Sequence, residues 1–246
     1  MCTISFVPEQ HGFYLAMNRD EKRSRPTALP PAIINLPERR VLLPREPTGG
    51  SWIAANDRGI CIALINWYRI EREPARSITS RGEVVIALAG TSSTEEIAAG
   101  LAALKLRRLP PFRLIAIVPF EKILTEWRWD LKRLSARRHL WQPKHWFSSG
   151  FDERRAELER RRVCSSAQDG QAASSLSWLR RLHRSHAPAR GPFSICMHRP
   201  DAATVSYTEV AVSDRRVRMR YKSGPACSAR STVSKALPIR GCGRGR

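Results

Sequence analysis

The chain has 246 residues, 42% of them hydrophobic, and a formal net charge of +21 at pH 7, which is length and apolar content enough for one large buried core. No run of about 18 apolar residues is available to span a bilayer, and the start of the chain lacks a basic region leading into an apolar stretch and a small-residue cleavage site, so a cytoplasmic location is expected. The charge suits an anionic partner in general, but the arginines fall in scattered pairs such as Arg39-Arg40 and Arg180-Arg181, and no helix-turn-helix, RNA-recognition or zinc-finger signature accompanies them, so no specific nucleic-acid partner is expected.

Two strands, 3–7 and 13–17, are expected at the start of the chain, joined by a turn that Pro8 and Gly12 punctuate. The stretch from Arg23 to Gly50 carries six prolines (Pro26, Pro30, Pro31, Pro37, Pro44, Pro47), which predicts an ordered but irregular loop. A second strand pair follows, 51–56 and 60–66, the latter apolar enough to be buried on both faces. Helical spacing then predicts helices over 80–89 and 94–106, with Ser93 and Glu96 as a capping box. Beyond them come a strand pair at 112–119 and 123–130, helices over 152–162 and 176–183, and a closing hairpin of 205–212 with 217–221.

Hairpins dominate, and the helices come in pairs rather than after every strand. This order predicts an α+β layer architecture of antiparallel sheets with helices outside. Residues 1–221 are read as one domain. Residues 222–246 hold six basic residues and no acidic one among Ser and Gly, and are read as a disordered tail.

The six cysteines (Cys2, Cys61, Cys164, Cys196, Cys227, Cys242) form no CxxC pair and no dense framework, so reduced thiols are expected. Cys196 with His198, or His183 with His186, comes nearest to metal spacing. Neither has a second ligand pair at zinc-site spacing, and no metal site is expected.

Cys2 is the position with the most chemistry to offer. Loss of Met1, which a small second residue permits, would place a free α-amine on the same residue as the thiol. An α-amine titrates near pH 8 and so can accept the thiol proton, making nucleophile and base one residue. Position alone leaves this reading level with that of a small buried hydrophobe. The charged tetrapeptide Asn18-Arg19-Asp20-Glu21 closes the second strand, and a hairpin returns it to Cys2, where a cation lowers a thiol pKa and a carboxylate holds an amine.

Met1-Cys2-Thr3, Asn18-Arg19-Asp20-Glu21 and Arg25-Pro26 together resemble the NRDE family, that of transport and Golgi organization protein 2. The stretches Gly49-Gly50-Ser51-Trp52, Asn56 to Asn66, Ser80-Arg81-Gly82-Glu83, His145 to Glu153 and Met197 to Ser206 agree in order. The resemblance implies the N-terminal-nucleophile (Ntn) hydrolase fold, a four-layer αββα sandwich, and a cysteine amidohydrolase acting on a linear C–N amide of a small molecule. In similar N-terminal-cysteine amidases an Arg-Asn-x-Asp segment surrounds the nucleophile and two asparagines serve the oxyanion. Asn18 and Asp20 match that segment, with Arg19 in its variable place and Met17 where the arginine would be. Asn66 matches the first oxyanion asparagine, and Ser149 stands at the second. Trp67 and Arg199 are the expected substrate contacts. The family also implies an alternative, a carrier of haem or lipid on the same fold, with Cys2 or a histidine as axial ligand.

Overall fold

The computed structural model describes residues 2–71, 79–167, 175–228 and 231–240. The first hairpin is longer than its apolar alternation predicts: β1 (Cys2–Glu9) pairs with β2 (Gly12–Lys22) from Cys2↔Arg19 to Glu9↔Gly12. β2 in turn pairs along its length with β11 (Ala202–Val212), which pairs with β12 (Arg216–Ser223). With β10 (Lys144–Ser148) beside β1 and β13 (Thr232–Pro238) beside β12, these make a six-stranded antiparallel sheet.

The second sheet is a seven-stranded meander in sequence order: β3 (Leu29–Asn35), β4 (Arg40–Arg45), β5 (Ile53–Asn56), β6 (Cys61–Asn66), β7 (Phe112–Val118), β8 (Ile123–Trp129) and β9 (Leu134–His139). Among the described residues four α-helices accompany the sheets: α1 (Gly82–Leu88), α2 (Thr94–Ala103), α3 (Glu153–Ala167) and α4 (Leu176–Arg184). Three buried clusters separate the layers. Ile4, Phe6, Leu15 and Met17 meet Ile53, Ala63 and Ile115 between the sheets. Val84, Leu88, Ile97 and Leu101 cover the outer face of the seven-stranded sheet. Cys164, Trp178, Leu179 and Leu182 cover that of the six-stranded sheet. The order is therefore αββα, as expected from the resemblance and from the pairing of hairpins and helices. The predicted cap of α2 is present: Ser93 Oγ accepts from Glu96 N at 3.2 Å. The return arm goes to Ser92 N rather than to the cap residue, at 2.7 Å.

Two expectations are corrected. The proline-rich stretch 23–50 is not an irregular loop but contains β3 and β4. Its prolines sit where a sheet tolerates a missing donor: Pro30 and Pro31 lie on the edge strand, inside the register shift between Leu29 and Ala32, and Pro44 lies beyond the two residue pairs that join β4 to β5. The segment after residue 221 is not structureless either. β13 runs against β12 from Lys222↔Thr232 to Arg216↔Pro238, its Leu237 is buried between the sheets, and Arg240 N donates to Asp57 O. An edge strand with one buried side chain has no alternation to betray it, because its main stabilisation is backbone pairing.

At one end the sheets are clamped by Glu126 on β8. Its carboxylate has no solvent access and meets Arg113 at 2.6 Å, Arg128 at 2.9 Å and His139 at 3.0 Å. Arg113 also donates to Phe147 O on the opposite sheet. Burial alone would raise the carboxyl pKa, but Arg128 and Arg113 together bring it down from 4.5 to about 2. A folded-state pKa below the unfolded one contributes stability that is present above the unfolded pKa and lost as pH falls through the folded one. Glu126→Gln should therefore lower unfolding free energy at pH 7 by roughly 3 kcal/mol, the free-energy equivalent of that shift. Urea titrations should show the gap to the wild type closing as pH falls from about 4.5 towards about 2.

Candidate active site

Strand alternation divides the start of the chain between two environments. Cys2, Ile4 and Phe6 point between the sheets, whereas Thr3 and Ser5 face the helices. Cys2 is buried and lies opposite Arg19 on β2 and Ser148 on β10. It lines a narrow cavity of about 100 Å³ together with Arg19, Asp20, Glu46, Trp52 and Asn66. Burial pushes the Cys2 thiol up, and the Asp20 carboxylate adds to this; the positive chain terminus, an Asp20 backbone hydrogen bond and Arg19 act against it. The thiol thus stays protonated until a base takes its proton.

The cavity wall is a ladder of alternating charge. Arg19 pairs with Glu46 and stacks on Trp52, its guanidinium carbon 4.4 Å from the ring centroid. Arg25 meets Glu46 at 2.6 Å and Glu21 at 2.8 Å. Burial would lower the Arg25 pKa, but these two carboxylates hold it above its ordinary value. The floor explains two of the glycine-bearing motifs. Gly82 packs so closely on Gly50-Ser51 that a Cβ on it would lie 2.9 Å from Gly50 Cα, and Ser51 N donates to Gly82 O. Only glycine lets these two backbones touch.

The helical side of β2 holds the other half of the tetrapeptide. Asp20 is fully buried: its Oδ2 is 3.3 Å from Arg160 Nη2, and its Oδ1 accepts from Thr204 Oγ1 at 2.7 Å. Arg160, on α3, has no solvent access and also donates to Thr3 Oγ1 at 2.9 Å, with its Nη1 3.5 Å from Cys2 O. Asn18 turns to the same layer, where its Nδ2 donates to His183 O and Ile195 O. The structure therefore gathers Cys2, Arg19 and Asp20 at one cavity and directs Asn18 to the packing between β2 and α4.

Asn66, at the end of β6, reaches the same cavity from the other sheet and donates its Nδ2 to Tyr68 Oη at 2.7 Å. The loop it opens is held by Glu153 of α3, whose carboxylate accepts from Tyr68 N and Arg69 N. Ser149 is buried one residue beyond the partner of Cys2, and its Oγ accepts from Phe151 N. At the start of α3, Asp152 Oδ1 accepts from Arg155 N. Arg199 pairs with Asp201 and stacks on Phe151, lining a wider outer cleft of about 540 Å³ shared with Asn66, Tyr68, Arg81 and Gly150. Trp67 lines neither space; it packs under Arg128. Reasoning from sequence missed Glu46 and Arg160. For Arg160 a signal exists: Glu153, Ala156, Arg160 and Cys164 share the buried face of α3, so an arginine occupies a core position of the helical stripe.

Two antiparallel sheets between helical layers, with a cysteine opening the first strand, make up an Ntn-hydrolase-like fold. The chain belongs to the Transport and Golgi organisation 2 family, whose sequence model matches residues 1–155. No curated protein matches it in sequence. Among solved structures it is similar to a mutant conjugated bile acid hydrolase from Clostridium perfringens, at TM-score 0.59 and 10% identity, covering 97% of this chain and 92% of that one. It is also similar to penicillin V acylase from Agrobacterium tumefaciens, at TM-score 0.52 and 11% identity, covering 91% and 83%. At such identities the likeness is one of fold.

The two arginines on either side of β2 should respond differently to removal. Arg160→Ala leaves a carboxylate without its buried cation and should destabilise the protein by about 3–5 kcal/mol. Arg25→Ala, at a side chain 44% exposed, should cost no more than about 1 kcal/mol. Chemical denaturation of both variants at neutral pH checks the contrast.

Proposed function

We propose that this protein is an N-terminal-cysteine amidohydrolase acting on a linear, non-peptide C–N amide. The observation that carries the reading is the shared cavity: the Cys2 thiol and the Asn66 side chain approach one small space from opposite sheets. The fold likeness to a bile acid hydrolase and a penicillin acylase supports it.

In this reading Met1 is removed and the α-amine of Cys2 takes the thiol proton, since burial keeps the thiol from ionising unaided. The Asp20 carboxylate, fixed by Arg160 and Thr204, holds the ammonium that forms. The sulfur attacks the amide carbonyl, and the developing oxyanion accepts from Asn66 Nδ2. That amide group carries two N–H bonds, of which Tyr68 takes one. Collapse of the tetrahedral species breaks the C–N bond, and the ammonium returns its proton to the departing nitrogen. Water then releases the acyl group from sulfur by the same steps in reverse order. Arg19 stays with Glu46 and Trp52 as a fixed cation opposite the thiol, and Ser149 sets the turn behind the site. Arg199 and Tyr68 line the cleft that receives the rest of the substrate.

A haem or lipid carrier reading gains no comparable support. The space at Cys2, about 100 Å³, is well below the roughly 300–1,000 Å³ of ordinary ligand pockets. It suits one carbonyl group entering from the outer cleft.

Intact-mass measurement should show a chain lighter by one methionine, with Cys2 at its terminus. On a panel of linear N-acyl amides, Cys2→Ala should abolish turnover, and Asn66→Ala should lower kcat by two to three orders of magnitude, the effect of losing one oxyanion donor. Retention of Met1, or full activity in Cys2→Ala, would overturn the mechanism.

A further inference from the structure

Four side chains from two separate connections converge beside the six-stranded sheet, at the end away from the β1–β2 turn. His186 follows α4, Cys196 and His198 lead into β11, and Cys227 lies in the connection after β12. Their ligand atoms all lie within 4.8 Å of one another. His198 Nε2 is 3.2 Å from His186 Nε2, 3.6 Å from Cys196 Sγ and 3.5 Å from Cys227 Sγ.

These distances can be set against the edges of a metal-centred tetrahedron. With Zn–N near 2.0–2.1 Å and Zn–S near 2.3 Å, a regular tetrahedron has N···N edges of about 3.3 Å and N···S edges of about 3.6 Å. All three measured separations fall within about 0.1 Å of those edges. Two imidazoles and two thiols at such separations form a donor set whose geometry and softness select Zn²⁺ over the hard, oxygen-seeking divalent ions.

The surroundings are built to hold these ligands. Cys196 is fully buried and its backbone N–H donates to Ser185 O. Its carbonyl accepts from Ser194 Oγ at 2.7 Å. His198 is held by a backbone bond to Gly191 O and a bridge to Ala203. The turn bearing Cys227 is pinned at its carbonyls: Arg184 Nε donates to Ala226 O, and Lys222 Nζ donates to Ser228 O at 2.7 Å. Gly224, at φ 100°, reverses the chain to bring that turn back.

We propose that His186, Cys196, His198 and Cys227 bind one Zn²⁺ ion as a closed, four-ligand structural site. Binding replaces the two thiol protons, which leave to solvent, by the dication, and the imidazoles coordinate as neutral donors, so the centre carries no net charge. The ion staples the connection between α4 and β11 to the one between β12 and β13. Full protein ligation leaves no open position for substrate, which makes the site structural rather than catalytic. It is independent of the hydrolase reading, because none of its ligands lines the Cys2 cavity.

The full-length chain, purified without a polyhistidine tag, should carry about one zinc per molecule by elemental mass spectrometry. After exchange, Co²⁺ should give the intense visible bands of a tetrahedral ion with a thiolate charge-transfer band. Cys227→Ser, at the solvent side of the cluster, should fold, lose most of the zinc and weaken the charge-transfer band by about half. His186→Asn should also lose zinc, and Cys2→Ala should keep it. The proposal fails if the wild-type chain holds no zinc and gives only the weak spectrum of octahedral cobalt. It fails equally if Cys227→Ser and His186→Asn retain a full complement, or if peptide mapping of anaerobically isolated protein finds Cys196 and Cys227 joined as a disulfide.

Discussion

The buried pair between Arg160 and Asp20 is the interaction on which the position of the candidate nucleophile depends. Taking two charges out of water is expensive, and only good geometry with further hydrogen bonds compensates for it. Here Arg160 adds bonds to Thr3 and a contact with the Cys2 carbonyl, and Asp20 adds one from Thr204. The pair thereby ties α3 to β1, β2 and β11 at the point where the chain starts. Its contribution is one of register. A slip of one residue between β1 and β2 would turn Cys2 from the cavity to the helical layer, and would carry Asp20 away from the Arg160 guanidinium with which it pairs.

The same alternation gives the Asn18-Arg19-Asp20-Glu21 run two separate tasks. Asn18 and Asp20 face the helices, where one fastens β2 to backbone carbonyls and the other meets Arg160. Arg19 and Glu21 face the space between the sheets, where they join Arg25 and Glu46 in the charged wall. A tetrapeptide that reads as one charged cluster is thus two interleaved pairs. The arginine read as displaced from its expected place still ends up opposite the thiol, because Arg19 is the cross-strand partner of Cys2.

What was legible follows from how each element is stabilised. β1, β2, β5–β8, β11 and β12 bury one or both faces, so their apolar patterns give them away, and the four helices show caps or stripes. β3 and β4 were hidden by prolines placed at an edge and a register shift, and β9 and β13 by being edge strands with mostly exposed, polar side chains. In the site, Cys2, Arg19 and Asp20 come together because one hairpin carries them, whereas Asn66 was singled out by the family resemblance alone. Arg160 was masked by its arginine-rich helix, and only its place on the stripe of Ala156 and Cys164 sets it apart from the surface arginines. The His186, Cys196, His198 and Cys227 cluster was not legible as a whole: its ligands come from two connections, and only the fold brings His186 and Cys227 to the Cys196 and His198 pair.

These two regions meet at Thr204. Its hydroxyl accepts from Met197 N, the residue between Cys196 and His198, and donates to Asp20. With its acceptor side occupied by a backbone N–H, the single hydroxyl proton is directed to the carboxylate, so Asp20 is oriented by a donor on β11 as well as by Arg160 on α3. The segment that supplies that N–H is held between two members of the His/Cys cluster. Whatever fixes this segment therefore also fixes the carboxylate beside Cys2. The β11 end of the six-stranded sheet and the start of the chain are in this way one mechanical unit, with Met197 N, the Thr204 hydroxyl and the Asp20 carboxylate as the links between them.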